Sequence, residues 1–206
     1  MTGFLPNPEL PLFPLQTVLF PDGLLELKIF EARYLDLMSA CLRGASPFGV
    51  VALKSGGEVG ASQQAAEMQE VGTLAELIDV DSAEAGILFV RCRGRQRFRL
   101  GAVRQQTNSL WVGEASGLAD DAPAPPRPAH QPIVQRLADA MASLAEQGAS
   151  PFLEPHRLDE AGWVANRWCE VLPLPLEARQ ILMSMADPLA RLDAVDLVLG
   201  GSRDPA

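Results

Sequence analysis

Leu10-Pro11-Leu12-Phe13-Pro14-Leu15, Val18-Leu19-Phe20-Pro21 and Ile29-Phe30-Glu31-Ala32-Arg33-Tyr34-Leu35 are the runs whose reading decides the fold. The first is apolar enough for a strand, and Pro11 and Pro14 suit an edge or a strand end. Pro21-Asp22-Gly23 is a turn signal. Leu24 to Phe30 then alternates as a half-buried strand does. From Glu31 to Arg43 the period changes. Leu35, Met38 and Leu42, with Tyr34 and Cys41 beside them, recur at helical spacing. Gly44 stands where a left-handed cap is expected.

Working outward, Phe48 to Leu53 reads as a strand, and Ser55 to Glu70 as a polar hairpin or surface loop. Strands follow at Val71 to Val80, Gly86 to Arg93, Phe98 to Arg104 and Leu110 to Ala115. Gly94, with a turn at Arg95-Gln96, is expected to close the hairpin between the second and third of these. Short strands separated by turns predict a small barrel-like β lobe, with one helix inserted after its second strand.

Asp120-Asp121-Ala122-Pro123-Ala124-Pro125-Pro126-Arg127-Pro128 breaks the pattern and reads as an extended, semi-rigid connector. Beyond it the spacing is helical. Ile133, Leu137, Met141 and Leu144 line one stripe, and further helices are expected over Leu158 to Leu172 and Glu177 to Ala186. Asp187-Pro188 announces the last one, an aspartate cap with proline at the first helical position. The expected organisation is a β-rich lobe over residues 1–118, a Pro/Ala-rich link over 119–131 and a helical lobe over 132–206.

Composition narrows the function. The net charge of −9 disfavours a phosphate backbone as partner. Lys28 and Lys54 are the only lysines, and neither follows glycine, so a phosphate-binding P-loop is excluded. Cys41, Cys92 and Cys169 are scattered and odd in number, which fits free thiols in the cytoplasm. The chain begins without the basic start of a secretory signal and has no membrane-length apolar run. His130 and His156 sit in proline-flanked segments without metal-ligand spacing. No catalytic residue, metal site or cofactor is indicated.

The order LPLFPL, VLFP, IFEARYLDLM, FGVVAL, EVGTLAEL and GRQRF resembles the Lon N-terminal domain family, the substrate-binding domain at the front of Lon-type ATP-dependent proteases. The likeness runs from about Leu10 to Ala115 and continues more loosely through Leu174, Arg179-Gln180-Ile181-Leu182 and Ala190-Arg191-Leu192. It implies an α+β fold: a PUA-like pseudo-β-barrel lobe followed by a C-terminal α-helical bundle lobe. It also implies a non-catalytic role in recognising unfolded or partly folded protein segments, with a protease or chaperone as a further partner. No ATPase or peptidase module follows in this sequence, so the resemblance brings binding and no catalysis. The alternative is a PUA-like protein that binds RNA or a small anion.

The expected binding groove lies around Phe20, Phe30, Tyr34 and Phe98, on the β lobe and shared with the first helices after it. Each of these has a structural reading too. Tyr34 and its neighbours Glu31 and Arg33 can fix a strand-to-helix junction, and Phe98 can fill a core. Arg91, Arg93, Arg95, Arg97 and Arg99 stand at every second position. On one unbroken strand they would share a face, and Arg93, Arg97 and Arg99 become candidates for anion or acidic-peptide contact. The alternative is a solvated face balanced by nearby carboxylates. Trp163 and Trp168 read as helix–helix core.

Overall fold

Apolar residues on both sides of β1 (Asn7–Leu15) set the arrangement of the first unit. Leu10 and Leu12 enter one buried cluster with Val51, Leu74, Phe98 and Ala115. Phe13 and Leu15, one step out of phase, enter a second with Ile29, Met38, Phe48, Val50, Val90 and Cys92. A strand with this pattern is covered on both faces. The computed structural model describes residues 7–44, 46–55, 67–84 and 86–201. Most of the polar Ser55 to Glu70 stretch, residues 56–66, lies outside the described residues. The chain divides into two compact units, Met1–Asp120 and Asp121–Ala206.

The first unit continues with β2 (Leu24–Ile29), α1 (Ala32–Gly44), β3 (Phe48–Ser55), β4 (Glu67–Met68), β5 (Val71–Glu84), β6 (Ile87–Gln105) and β7 (Trp111–Gly117). The pairings run β1-β7-β6-β5-β3, and a parallel ladder between β3 and β1 closes the circuit. This is the expected pseudo-barrel, though not a regular one. β2 hangs on β6 outside the circuit, β4 on β3, and several ladders shift register.

β1 is not the edge its prolines suggest. It pairs with β7 from Asn7 to Leu12 and with β3 from Leu12 to Leu15. The two ladders are staggered, so most of the strand is paired on one side at a time. Pro11 and Pro14, which lack an N–H, are therefore accommodated.

α1 buries Tyr34, Leu37, Met38 and Cys41 against the second cluster, and Leu42 is exposed. The buried stripe is rotated from the expected one by about one residue. Gly44 does not turn left-handed; the helix runs through it, and the Ser46 hydroxyl donates to its carbonyl.

No hairpin turn occurs at Arg95-Gln96. β6 runs unbroken for 19 residues. Gly94 serves a different purpose. The segment before β2 crosses β6 there: the Asp22 N–H donates to the Gly94 carbonyl (2.8 Å), and the Gly94 N–H donates to that of Gly23 (2.9 Å). A Cβ on Gly94 would stand 2.1 Å from the Phe20 carbonyl oxygen. Inside the circuit, Cβ atoms on Gly49 and Gly72 would stand 2.7 and 2.6 Å from the tip of the Phe98 ring. The missing side chains make the seat for that ring.

The second unit holds α2 (Gln131–Glu146), α3 (Ala161–Val171), α4 (Leu176–Ser184) and α5 (Pro188–Gly201). The Asp187 carboxylate accepts from the Leu189 and Ala190 N–H groups, as its capping position predicts. Trp163 and Trp168 are buried as read, and the Trp168 indole N–H donates to the Ile133 carbonyl (3.2 Å), joining α3 to α2. From Asp121 onward the proline-rich stretch is bonded to the helices. Arg191, fully buried, donates to both oxygens of Asp121, to Asn166 and to the carbonyls of Leu182 and Met185. Arg127 and His130 both bind Asp193 on α5 (2.8 and 2.7 Å).

Gly94→Ala is expected to destabilise the protein by roughly 2 kcal/mol or more, because backbone must move to admit the methyl. Gly200→Ala, which meets open space on a helix, is expected to be neutral or stabilising by up to ~1 kcal/mol. Thermal melts of the two variants provide the comparison.

The second unit gives a pH prediction. The bond from His130, with Arg127 in support, holds the Asp193 carboxyl below its ordinary range. Native structure thus favours the ionised form. Its contribution is complete above the unfolded value of ~3.9 and disappears as pH falls through the lower native value. Wild type is expected to exceed Asp193→Asn in urea stability near neutrality, and the gap should close on acidification. A gap independent of pH would contradict this role.

Candidate recognition surface

The FEARY run works as a junction. The Glu31 carbonyl accepts the N–H groups of Tyr34 and Leu35, starting α1. Arg33 pairs with the Glu31 carboxylate (2.7 Å) and donates to the Ser109 carbonyl (2.9 Å) in the turn between β6 and β7. Its guanidinium also lies over the Tyr34 ring (4.7 Å). Tyr34 stacks on Phe13 with centroids 3.9 Å apart and planes at 15°. These contacts hold α1 to the sheet.

Of the aromatic candidates, Phe20, Tyr34 and Phe98 are buried and present no surface. Phe20 belongs to the segment pinned across β5 and β6, where the Thr73 hydroxyl donates to the Leu19 carbonyl (2.6 Å). Phe98 fills the interior of the circuit. Phe30 alone among them is open, at 53% exposure.

The arginine alternation does not make one basic face. Between Gly94↔Ala75 and Arg97↔Thr73 there is one more residue on β6 than on β5, a bulge that resets which side each residue faces. Beyond the bulge Arg97 and Arg99 lie on the side opposite Phe98. Arg97 is nonetheless buried and donates to the Ala119 carbonyl (3.3 Å). Arg93 is half-buried. Arg91, Arg95 and Arg99 are exposed, but each has a carboxylate: Glu26 (3.3 Å), Glu76 and Glu70 (3.8 Å) respectively. The three exposed arginines are paired as a solvated acid–base surface, whereas Arg97 departs from that pattern by being buried on a carbonyl.

Sequence reasoning missed Phe89. In the ladder Lys28 stands opposite Phe89, with its Nζ 5.4 Å from the ring centroid, and Ile29 stands opposite Leu88. Ile29 and Val90 face the core, whereas Lys28 and Phe89 face solvent, Phe89 at 37% exposure. Phe30 follows directly after β2. The outer side of the β2–β6 ladder thus carries the open Phe89 ring with Glu26, Lys28 and Arg91, and the exposed Phe30 stands just past the end of β2. Ile78, at the bulge on β5 between Leu77 and Asp79, is also exposed. The run Ile87-Leu88-Phe89-Val90 is apolar throughout, so its alternation could not reveal which members face outward. In the second unit Val171, Ile181 and the adjacent Leu197 and Val198 are exposed, spread over three helices, which is ordinary for a protein surface.

The thiols are not placed for nucleophilic work. All three cysteines are free and buried, and burial pushes Cys92 and Cys169 up to about 12. Among the described residues no group of three or more His, Cys, Asp or Glu side chains is arranged to hold a metal. No described helix is long and apolar enough to cross a membrane.

The first unit is thus a mixed sheet closed through a parallel ladder with one helix packed on it, and the second unit is helical. Residues 9–199 match the family model of the ATP-dependent protease La (LON) substrate-binding domain, and the chain belongs to that family. Its fold resembles the crystal structure of a Lon N-terminal domain protein from Xanthomonas campestris, at 32% identity and a TM-score of 0.72, over 93% of this chain and 98% of that one. It also resembles the N-terminal domain of a Mycobacterium avium complex Lon protease, at 13% identity and a TM-score of 0.59, over 91% and 95% of the two chains. That second likeness concerns the fold alone. No curated protein matches the chain.

Arg97→Ser is expected to cost about 1–3 kcal/mol, through an unbonded buried carbonyl and lost packing. Arg99→Ser is expected to stay within about 0.5 kcal/mol. Equal effects in urea titrations would contradict the burial of one arginine and the exposure of the other.

Proposed function

We propose that this chain is a recognition module that holds exposed, unfolded segments of other proteins and performs no covalent chemistry on them. Membership of a substrate-binding family supports a protein ligand. The observation that carries the location is two open rings, Phe89 on the outer side of the β2–β6 ladder and Phe30 just past the end of β2. Apolar surface held on a rigid sheet attracts the side chains that an unfolded client exposes and a folded one conceals.

Residues 1–118 carry this surface, and the helical part beyond the 119–131 link accompanies it. Of the residues nominated from sequence, Phe30 makes direct contact with the client. Exposed Arg99 and half-buried Arg93 give the surrounding surface its mixed charge. Phe20, Tyr34, Phe98 and Arg97 support from within. A protease or chaperone receiving the held client is the natural further partner. Free, buried cysteines suit work in the cytoplasm.

Fluorescence anisotropy with a reduced, carboxymethylated protein and with its native form tests this reading. The unfolded form is expected to bind at least ~10-fold tighter, because burying apolar surface supplies the affinity. Phe30→Ser combined with Phe89→Ser is expected to weaken binding by about 10-fold or more, with the melting temperature nearly unchanged. Equal binding of both client forms, or full binding by the double variant, would count against it.

A further inference from the structure

β2 has one paired edge and one open edge. It joins β6 from Leu24↔Arg93 to Ile29↔Leu88 without a register shift, and among the described residues no strand pairs with its other side. Exposed edges ordinarily carry a device that prevents another strand from adding, such as a proline, a bulge or a charge projecting along the edge. The β5–β6 and β6–β7 ladders are bulged. β2 has no bulge, and no proline from Leu24 to Ile29. Its two charged residues are drawn back toward β6, Glu26 by Arg91 (3.3 Å) and Lys28 by the ring of Phe89 (5.4 Å). Neither guards the open side.

The two faces of this edge are chemically distinct. Leu25 and Leu27 lie on the core side, packed on the buried cluster yet only partly covered. Glu26 and Lys28 lie on the outer side, and Phe30 follows at the end of the strand. A strand laid alongside would cover the leucines with every second side chain and pair its backbone with that of β2.

We infer that the open edge of β2 receives an extended segment of client polypeptide by main-chain pairing, with apolar side chains at alternate positions over Leu25 and Leu27. This deepens the recognition reading above and rests on it. The ligand is about six residues of proline-free, unpaired chain, the strand length that β2 offers. A folded protein whose strands are already paired does not supply such a segment. Main-chain pairing also frees recognition from any one client sequence.

The test uses a fluorescein-labelled decapeptide of alternating valine and threonine with terminal arginines. Two further versions are N-methylated, one on each alternate set of backbone nitrogens. One methylated version is expected to lose at least about 10-fold in affinity, because its donors face β2. The other is expected to bind within about 3-fold of the parent, since its methyl groups face away. Amide exchange over Leu24–Ile29 is expected to slow when the parent peptide is bound.

Equal behaviour of the two methylated versions, whether both bind or both fail, overturns the inference. So does unchanged exchange at Leu24–Ile29, or capture of an unfolded protein without capture of the parent peptide. In each of these cases apolar capture at Phe30 and Phe89 stands. Sedimentation of the protein alone covers the remaining occupant. A concentration-dependent dimer that the peptide dissociates would assign the edge to a second copy and overturn the inference. Failure to bind either the peptide or an unfolded protein removes both readings.

Discussion

The first unit depends on one long strand being shared by two layers, and on a residue without a side chain where the sharing changes hands. β6 keeps β5 as its neighbour along most of its length. On its other side it pairs with β2 up to Arg93 and with β7 from Phe98. Between those points lie Gly94 and the bulge. The Phe20 carbonyl approaches Gly94 more closely than any Cβ would permit. Backbone bonds between Gly94 and both Asp22 and Gly23 then turn the chain into β2. Without that close crossing β2 could not begin where it does.

The consequences reach the surface. Because the crossing pins residues 19–23, Phe20 is interior. Because β2 runs along the far half of β6, outside the closed circuit, one of its edges meets no strand among the described residues, and Glu26, Lys28 and Phe89 are exposed on the side away from α1. Phe89 is exposed there for this reason, and Phe30 is exposed just past the end of β2. The bulge that accompanies the crossing also breaks the arginine alternation, and beyond it Phe98 faces the core with Arg97 and Arg99 on the opposite side.

The FEARY run divides between side chains bonded into the scaffold and one exposed ring. Glu31, Arg33 and Tyr34 bond to each other, to Ser109 and to Phe13, and so belong to the scaffold. Phe30, one residue earlier, bonds to none of these and remains available. In the second unit, Arg191 gathers Asp121, Asn166 and two carbonyls into one saturated buried cation. A buried guanidinium is tolerated when every direction is met by an acceptor.

The strands, the inserted helix, the later helices and the Asp187 cap were legible in the chain because each rests on local signals: alternation, helical spacing and capping chemistry. The family was legible because those signals occur in a particular order. What the chain alone could not reveal is where segments distant in sequence come together. Pro11 and Pro14 look like edge residues until the staggered ladders of β1 are known. Gly94 looks like a turn glycine until a carbonyl from Phe20 is seen against it. Phe89 is hidden in an apolar run until Lys28 is found opposite. Periodicity specifies which residues share a face, whereas only the pairing of distant backbone decides whether that face meets core or water.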